Sequence, residues 1–78
     1  MEHLAYDEII EFIASGATPQ QVIDFRPSAR VLKRVRGLLI ASNAGELTQE
    51  GRDELSKYLT MEHMMRMAKL RARKNIAR

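Results

Sequence analysis

Apolar residues recur with a helical period in four segments of this chain, and turn-forming residues separate the segments. The spacing predicts helices over residues 4–14, 19–25, 29–44 and 49–74. No segment shows the two-residue alternation of a half-buried strand. The pattern therefore predicts one all-α domain over residues 1–78, with three short or medium helices packed on one long C-terminal helix. At ~1.5 Å per residue, the last helix would span roughly 40 Å.

Start and stop signals support these boundaries. Thr18 and Gln21 have the spacing of a capping box, in which each side chain bonds the other residue's backbone amide. Ser28 and Thr48 precede the third and fourth segments as N-cap residues. Gly16 follows the first segment and suits the left-handed conformation that commonly ends a helix. Each of the three later helices therefore has a predicted cap.

The long C-terminal helix carries more apolar residues than one face can hold. At ~100° per residue they fall on two rows. One row is formed by Leu59, His63, Met67 and Leu70, and the other by Tyr58, Met61, Met65, Ala68 and Ala72. A small bundle covers one row of a helix but hardly both, so the second row needs another chain.

Methionines dominate this region, and methionine suits surfaces that repack against partners. A large exposed apolar patch is otherwise disfavoured. We therefore predict a non-enzymatic interaction protein that self-associates or binds a protein partner through this helix. The predicted interface residues are Tyr58, Met61, Met64, Met65, Met67, Ala68 and Leu70. The alternative for any single methionine is a place in the core.

Charge is unevenly distributed along the chain, although the formal net charge is only +3. Residues 1–25 hold acids without Lys or Arg, whereas residues 26–36 and 66–78 hold Lys and Arg without acids. Such a distribution either pairs helices internally or leaves a basic face for an anionic partner. The alternative function is a small DNA- or RNA-binding regulator that contacts phosphates. Its candidate residues are Arg30, Lys33, Arg34, Lys69, Arg71, Arg73 and Lys74.

Other chemistry finds little support in the sequence. The chain has no Cys, and its two histidines, His3 and His63, lack the spacing of a helical zinc site. We therefore predict no catalytic residues, no metal, no cofactor and no enzymatic activity. No apolar run approaches the ~20 residues that cross a bilayer, and the first residues are acidic rather than basic. We expect a cytoplasmic protein that does not bind membranes.

Short motifs in both halves of the chain form a recognisable pattern. The C-terminal half contains Leu47-Thr48-Gln49-Glu50, Glu54-Leu55, Tyr58-Leu59, Glu62-His63, Met67-Ala68-Lys69 and Arg71-Ala72-Arg73. The N-terminal half contains Ile13, Gly16, Thr18-Pro19, Val22-Ile23 and Phe25-Arg26-Pro27-Ser28. The pattern resembles a family of short helical bacterial proteins whose genes often lie beside an HNH-type nuclease. The resemblance implies an antitoxin-like role with the nuclease as partner. Gly51 departs from it, because the family more often has an acid or Ala there.

Overall fold

The computed structural model describes residues 4–77, which form four α-helices and contain no β-strand. The helices are α1 (Leu4–Ala14), α2 (Pro19–Asp24), α3 (Ala29–Asn43) and α4 (Gln49–Ile76). The three shorter helices pack against α4, and α2 does so most extensively. The predicted all-α class and arrangement are confirmed. Predicted and observed helix ends differ by at most two residues, and the largest difference is the longer C-terminal end of α4.

The predicted caps are present and explain where the helices begin. The Thr18 hydroxyl accepts a hydrogen bond from the Gln21 backbone amide at 3.2 Å, and the Gln21 side chain accepts one from the Thr18 amide at 2.8 Å. The hydroxyls of Ser28 and Thr48 accept backbone amide bonds at 3.2 and 3.0 Å. These bonds satisfy amides that have no partner within the helix.

The structure explains why glycine stands at two positions, 16 and 51. Gly16 follows α1 with a φ of +76°, the left-handed conformation predicted for it. Gly51 lies buried in the first turn of α4, where an added Cβ would stand 2.7 Å from a methyl carbon of Leu47. The absence of a side chain at Gly51 therefore leaves room for Leu47, which packs onto the core. Gly37 in α3 has open space around it, so no close approach of a neighbouring helix requires it.

One core cluster lies between α3 and the first half of α4. Val31, Val35 and Leu38 of α3 are buried against Leu55 and Tyr58 of α4. Leu47, just before α4, is partly buried and packs against the same cluster. Leu32 and Leu39 of α3 lie outside this cluster and are exposed.

A second core cluster lies where α1 and α2 cross the middle of α4. Ile9 of α1 is buried with Met61 and Met65 of α4. Phe12 and Phe25 pack against them, with their ring centroids 4.5 Å apart and their planes tilted by 45°. The buried Ile9 of α1 and the partly buried Val22 of α2 therefore pack in one cluster with methionines from α4.

The acidic first helix is partly used inside the fold. The Glu8 side chain accepts a hydrogen bond of 2.8 Å from the backbone amide of Ser28, the N-cap of α3. A carboxylate at this position also favours the positive end of the helix dipole. One acid of α1 is thus bound within the fold by a backbone amide of the α3 cap rather than by a basic side chain.

Candidate interaction surface on the C-terminal helix

The structure divides the predicted methionine interface into two groups. Tyr58, Met61 and Met65 are 6%, 8% and 8% exposed and belong to the two core clusters. A partner cannot reach them in the folded chain, so their assignment to an exposed interface is corrected. The physical reason is that α1 and α2 cross α4 over Met61 and Met65, whereas α3 packs over Tyr58. Ala68 is half-buried.

The remaining predicted interface residues point away from the core. Met64, Met67 and Leu70 are 55%, 43% and 53% exposed. Leu59, which is 48% exposed, lies on the same side of α4 as Met67 and Leu70. The exposed His63 lies there as well. We call Leu59, His63, Met67 and Leu70 the exposed row; it is one of the two rows recognised in the sequence.

Helix α1 extends this apolar surface. Tyr6, Ile10 and Ile13 are 40%, 43% and 55% exposed, and we call these three residues the α1 flank. The Lys57 ammonium lies 6.0 Å from the Tyr6 ring centroid, which places the start of α1 beside the middle of α4. About two helical turns further along the two helices, Ile13 of α1 and Met64 of α4 line one groove. The α1 flank therefore runs alongside α4 next to the exposed row.

The groove between α1, α2 and α4 is apolar. It has a volume of about 260 Å³, and its walls include Ile13, Ala17, Met64 and Ala68. Single exposed apolar side chains are normal on proteins. Here, however, two helices present them side by side, and contiguous apolar surface of this kind marks interaction sites.

Two of the predicted nucleic-acid residues are engaged within the fold. Arg34 forms a bidentate ion pair with Glu54, at 2.9 and 2.7 Å. Glu54 is 6% exposed, and its hydrogen bond to Arg34 is the main cause that raises the pKa of this guanidinium. Arg34 is thus held in an ion pair within the fold while its side chain remains 53% exposed, and its assignment to a phosphate contact stays a prediction.

Lys69 is the second engaged cation. Its ammonium donates a hydrogen bond of 2.6 Å to the backbone carbonyl of Phe25, which caps α2. Arg26 donates to the same carbonyl at 2.8 Å. Burial lowers the pKa of Lys69, and the neighbouring charges of Arg26 and Arg73 lower it further. Lys69 therefore joins the end of α2 to α4, and its assignment to a phosphate contact stays a prediction.

The other five predicted nucleic-acid residues are exposed. Arg30 and Lys33 lie near the beginning of α3, and Arg71, Arg73 and Lys74 lie near the end of α4. The beginning of α3 packs beside Tyr58, 13 residues before Arg71 along α4. The two groups are consequently separated by roughly 20 Å along the helix axis, at ~1.5 Å per residue.

Sequence reasoning did not identify Glu54 as a structural residue. Its signal was present, because Glu54, Tyr58, Met61 and Met65 recur at the helical spacing of the buried face. An acid on a buried face needs a partner. Arg34, which forms the ion pair with Glu54, lies 20 positions away in the sequence. The pattern of α3 alone did not show that Arg34 faces α4.

Residues 4–77 contain neither a metal-ligand group nor a membrane-spanning helix. No group of three His, Cys, Asp or Glu side chains within this range is arranged to hold a metal ion. Within the same range, no helix has the length and apolar character needed to cross a bilayer. His3 lies outside the described residues.

Comparison of this chain with protein-family models, curated proteins and solved structures found no match. The likeness to short helical bacterial proteins, and the antitoxin-like role that it implies, therefore stay predictions.

Proposed function

We propose that this chain is a non-enzymatic protein–protein interaction module, whose exposed row and α1 flank together bind another polypeptide. The observation that carries the proposal is the exposure of Leu59, Met67 and Leu70, each by between 43% and 53%, on the side of α4 that faces away from both core clusters. Within residues 4–77, the shorter helices pack against the buried residues of α4 and leave this side open.

The chemistry of the surface suits a polypeptide. Leucine, isoleucine and methionine side chains favour contact with the apolar face of another helix, and methionine adapts its shape to such contacts. Burying apolar area contributes roughly 25 cal/mol per Å². Covering several half-exposed side chains at once therefore supplies a substantial driving force for association.

A nucleic-acid-binding role has less support. Phosphate binding depends on how many cations are free to neutralise the backbone. Arg34 and Lys69 already have partners in the fold, and the five remaining cations are divided between two separated regions. Binding to duplex DNA that strengthens steeply as salt is lowered, and that fails when Arg71 and Lys74 are replaced by Gln, would restore this function.

Site-specific photo-crosslinking in cells tests the proposal. A photoreactive residue at Met67, within the exposed row, is expected to capture one defined polypeptide. The same residue at Lys33, an exposed position on α3, is the matched control and is expected to capture none. The additional substitution Leu70→Glu is expected to remove the product at Met67 while leaving the helical content unchanged. Equal capture at both positions, or none at Met67, would contradict the proposal.

A further inference from the structure

We propose that a cavity between α1, the connection from α2 to α3, and α4 binds a small carboxylate that carries an apolar chain. The cavity lies on a different face of α4 from the exposed row, and the proposal is independent of the proposed function. It is carried by the apolar floor of the cavity and by two cations, Lys69 and Arg26, that bond one backbone carbonyl beside it.

The floor of the cavity is apolar and is held in place by the core. The cavity has a volume of about 240 Å³, and its apolar walls are Ile9, Phe25, Pro27 and Met65. Ile9 and Met65 belong to the second core cluster and are 4% and 8% exposed. At ~30 Å³ per water-sized group, the space holds roughly eight non-hydrogen atoms. The cavity therefore suits a ligand smaller than the drug-sized molecules that fill pockets of ~300–1,000 Å³.

Polar side chains of α4 form the other walls of the cavity, namely Tyr58, Glu62, Arg66 and Lys69. Glu62 and Arg66 form an ion pair at 2.5 Å, so their charges offset each other. Burial raises the pKa of Tyr58, and the Glu62 carboxylate raises it further, so Tyr58 contributes a neutral hydroxyl group. Within residues 4–77, Lys69 is thus the charged group of this cavity that has no carboxylate partner at ion-pair distance.

Two cations meet at the backbone carbonyl of Phe25, which is itself a wall residue. The Lys69 ammonium donates a hydrogen bond to this oxygen at 2.6 Å, and the Arg26 guanidinium donates one at 2.8 Å. Like charges that bond the same oxygen are close neighbours, and their repulsion increases as their separation falls. In the described part of the chain, Arg26 also lacks an ion pair with a carboxylate. Asp24 attracts Lys69 only from beyond ion-pair distance.

An anion beside these two cations would offset their repulsion. Burial lowers the pKa of Lys69, and the charges of Arg26 and Arg73 lower it further, so the fold alone leaves this ammonium poorly compensated. An ammonium has three donors and a guanidinium has five, so both keep donors after bonding to the carbonyl. A carboxylate accepts such charge-assisted bonds through its two oxygens. Its apolar chain would then lie on the floor of the cavity, which explains why one ligand needs both parts.

Hexanoate tests the proposal, because it joins one carboxylate to a short apolar chain that the cavity volume admits. The isotope-labelled chain is titrated with hexanoate and followed by methyl NMR. We expect saturable shifts for the methyl groups of Ile9 and Met65, which line the cavity. The methyl groups of Met67 on the exposed row and of Ile13 in the apolar groove are expected to stay in place. Shifts at Met67 or Ile13 as large as those at Met65 would overturn the proposal.

Two further probes separate the contributions of charge and apolar chain. Hexanol has the apolar chain without the charge, and it is expected to bind several-fold more weakly than hexanoate. Inorganic phosphate has charge without the apolar chain, and it is expected to leave the Ile9 and Met65 methyl groups unshifted. Hexanol that binds as tightly as hexanoate would overturn the proposal. Phosphate that causes the same shifts would indicate an adventitious ion only, and would overturn it as well.

Charge-removing variants test the two cations. Lys69→Gln and Arg26→Gln are each expected to weaken hexanoate binding several-fold. Lys74→Gln removes the same charge from an exposed position of α4 outside the cavity, and it is expected to bind as the natural chain does. Lys69 also joins α2 to α4, so circular dichroism checks the fold of its variant. Arg26 is exposed, and equal affinities of Arg26→Gln and Lys74→Gln would overturn the proposal whether or not Lys69→Gln folds.

Discussion

Met65 and Met67 lie two residues apart on α4, yet the structure gives them opposite roles. Met65 is 8% exposed and packs with Ile9 and Met61, whereas Met67 is 43% exposed on the exposed row. Replacing each by Ala removes the same atoms from the same helix. The pair therefore separates the contribution of the core from that of the outer surface.

The expected losses of stability differ by several-fold. A buried methionine replaced by Ala typically costs ~2–5 kcal/mol, through lost burial and the cavity left behind. Total stability at ~0.05–0.15 kcal/mol per residue is roughly 4–12 kcal/mol for 78 residues. Met65→Ala is therefore expected to remove a large share of it. Met67→Ala is expected to change the unfolding free energy of the dilute chain by no more than ~0.5 kcal/mol.

Urea unfolding followed by circular dichroism measures the difference. With a slope of ~1 kcal/mol per M, a loss of about 3 kcal/mol lowers the midpoint by roughly 3 M. The measurements belong at low protein concentration, because association would add a concentration-dependent contribution to the stability of the natural chain. An unchanged midpoint in Met65→Ala, or an equal decrease in both variants, would refute the division of the methionines into core and surface.

Three further predictions concern the fold around this surface. Thermal unfolding is expected to show Gly37→Ala more stable by ~1 kcal/mol, since Ala favours a helix. Gly51→Ala is expected to gain less, since its Cβ would lie 2.7 Å from a Leu47 methyl that must shift; equal gains would contradict the packing. Arg34→Ala is expected to lower the free energy of unfolding by ~1–2 kcal/mol, a value reduced by the partial exposure of Arg34. Because Glu54 is buried, the loss is expected in both low and high salt; a loss that disappears in high salt would contradict this ion pair's structural role. Burial raises the pKa of Tyr58, so the folded chain holds this proton more tightly and loses stability as pH rises above about 10; denaturant titrations against pH are expected to show a smaller alkaline loss in Tyr58→Phe, and identical profiles would contradict it.

Local signals in the sequence predict most of the fold. Thr18, Ser28 and Thr48 each act through atoms three residues away, so the sequence alone carries the information that places the helix starts. The α4 rows likewise follow from helical spacing. Local chemistry therefore predicted the elements to within two residues.

The choice between the two rows of α4 could not be made from the sequence. Both rows are apolar, and the row that becomes buried depends on where α1 and α2 cross α4. Those crossings bring Ile9 against Met61, 52 positions away along the chain. Non-local contacts of this kind leave no mark in the periodicity of either helix.

The engaged cations show the same limit. Lys69 reaches the carbonyl of Phe25 across 44 positions, and Arg34 reaches Glu54 across 20. A run of Lys and Arg in the sequence does not distinguish a cation that bonds within the fold from one that faces solvent. Only the tertiary arrangement leaves Arg30, Lys33, Arg71, Arg73 and Lys74 at the surface.

Methionine oxidation tests the central claim on the unaltered chain, because thioether oxidation by hydrogen peroxide follows exposure. Mass spectrometry of proteolytic fragments gives a rate for each methionine of α4. We expect the buried Met61 and Met65 to oxidise slowly, and the half-exposed Met64 and Met67 to oxidise several-fold faster. Equal rates at all four positions would contradict the division of α4 into a buried face and an exposed surface.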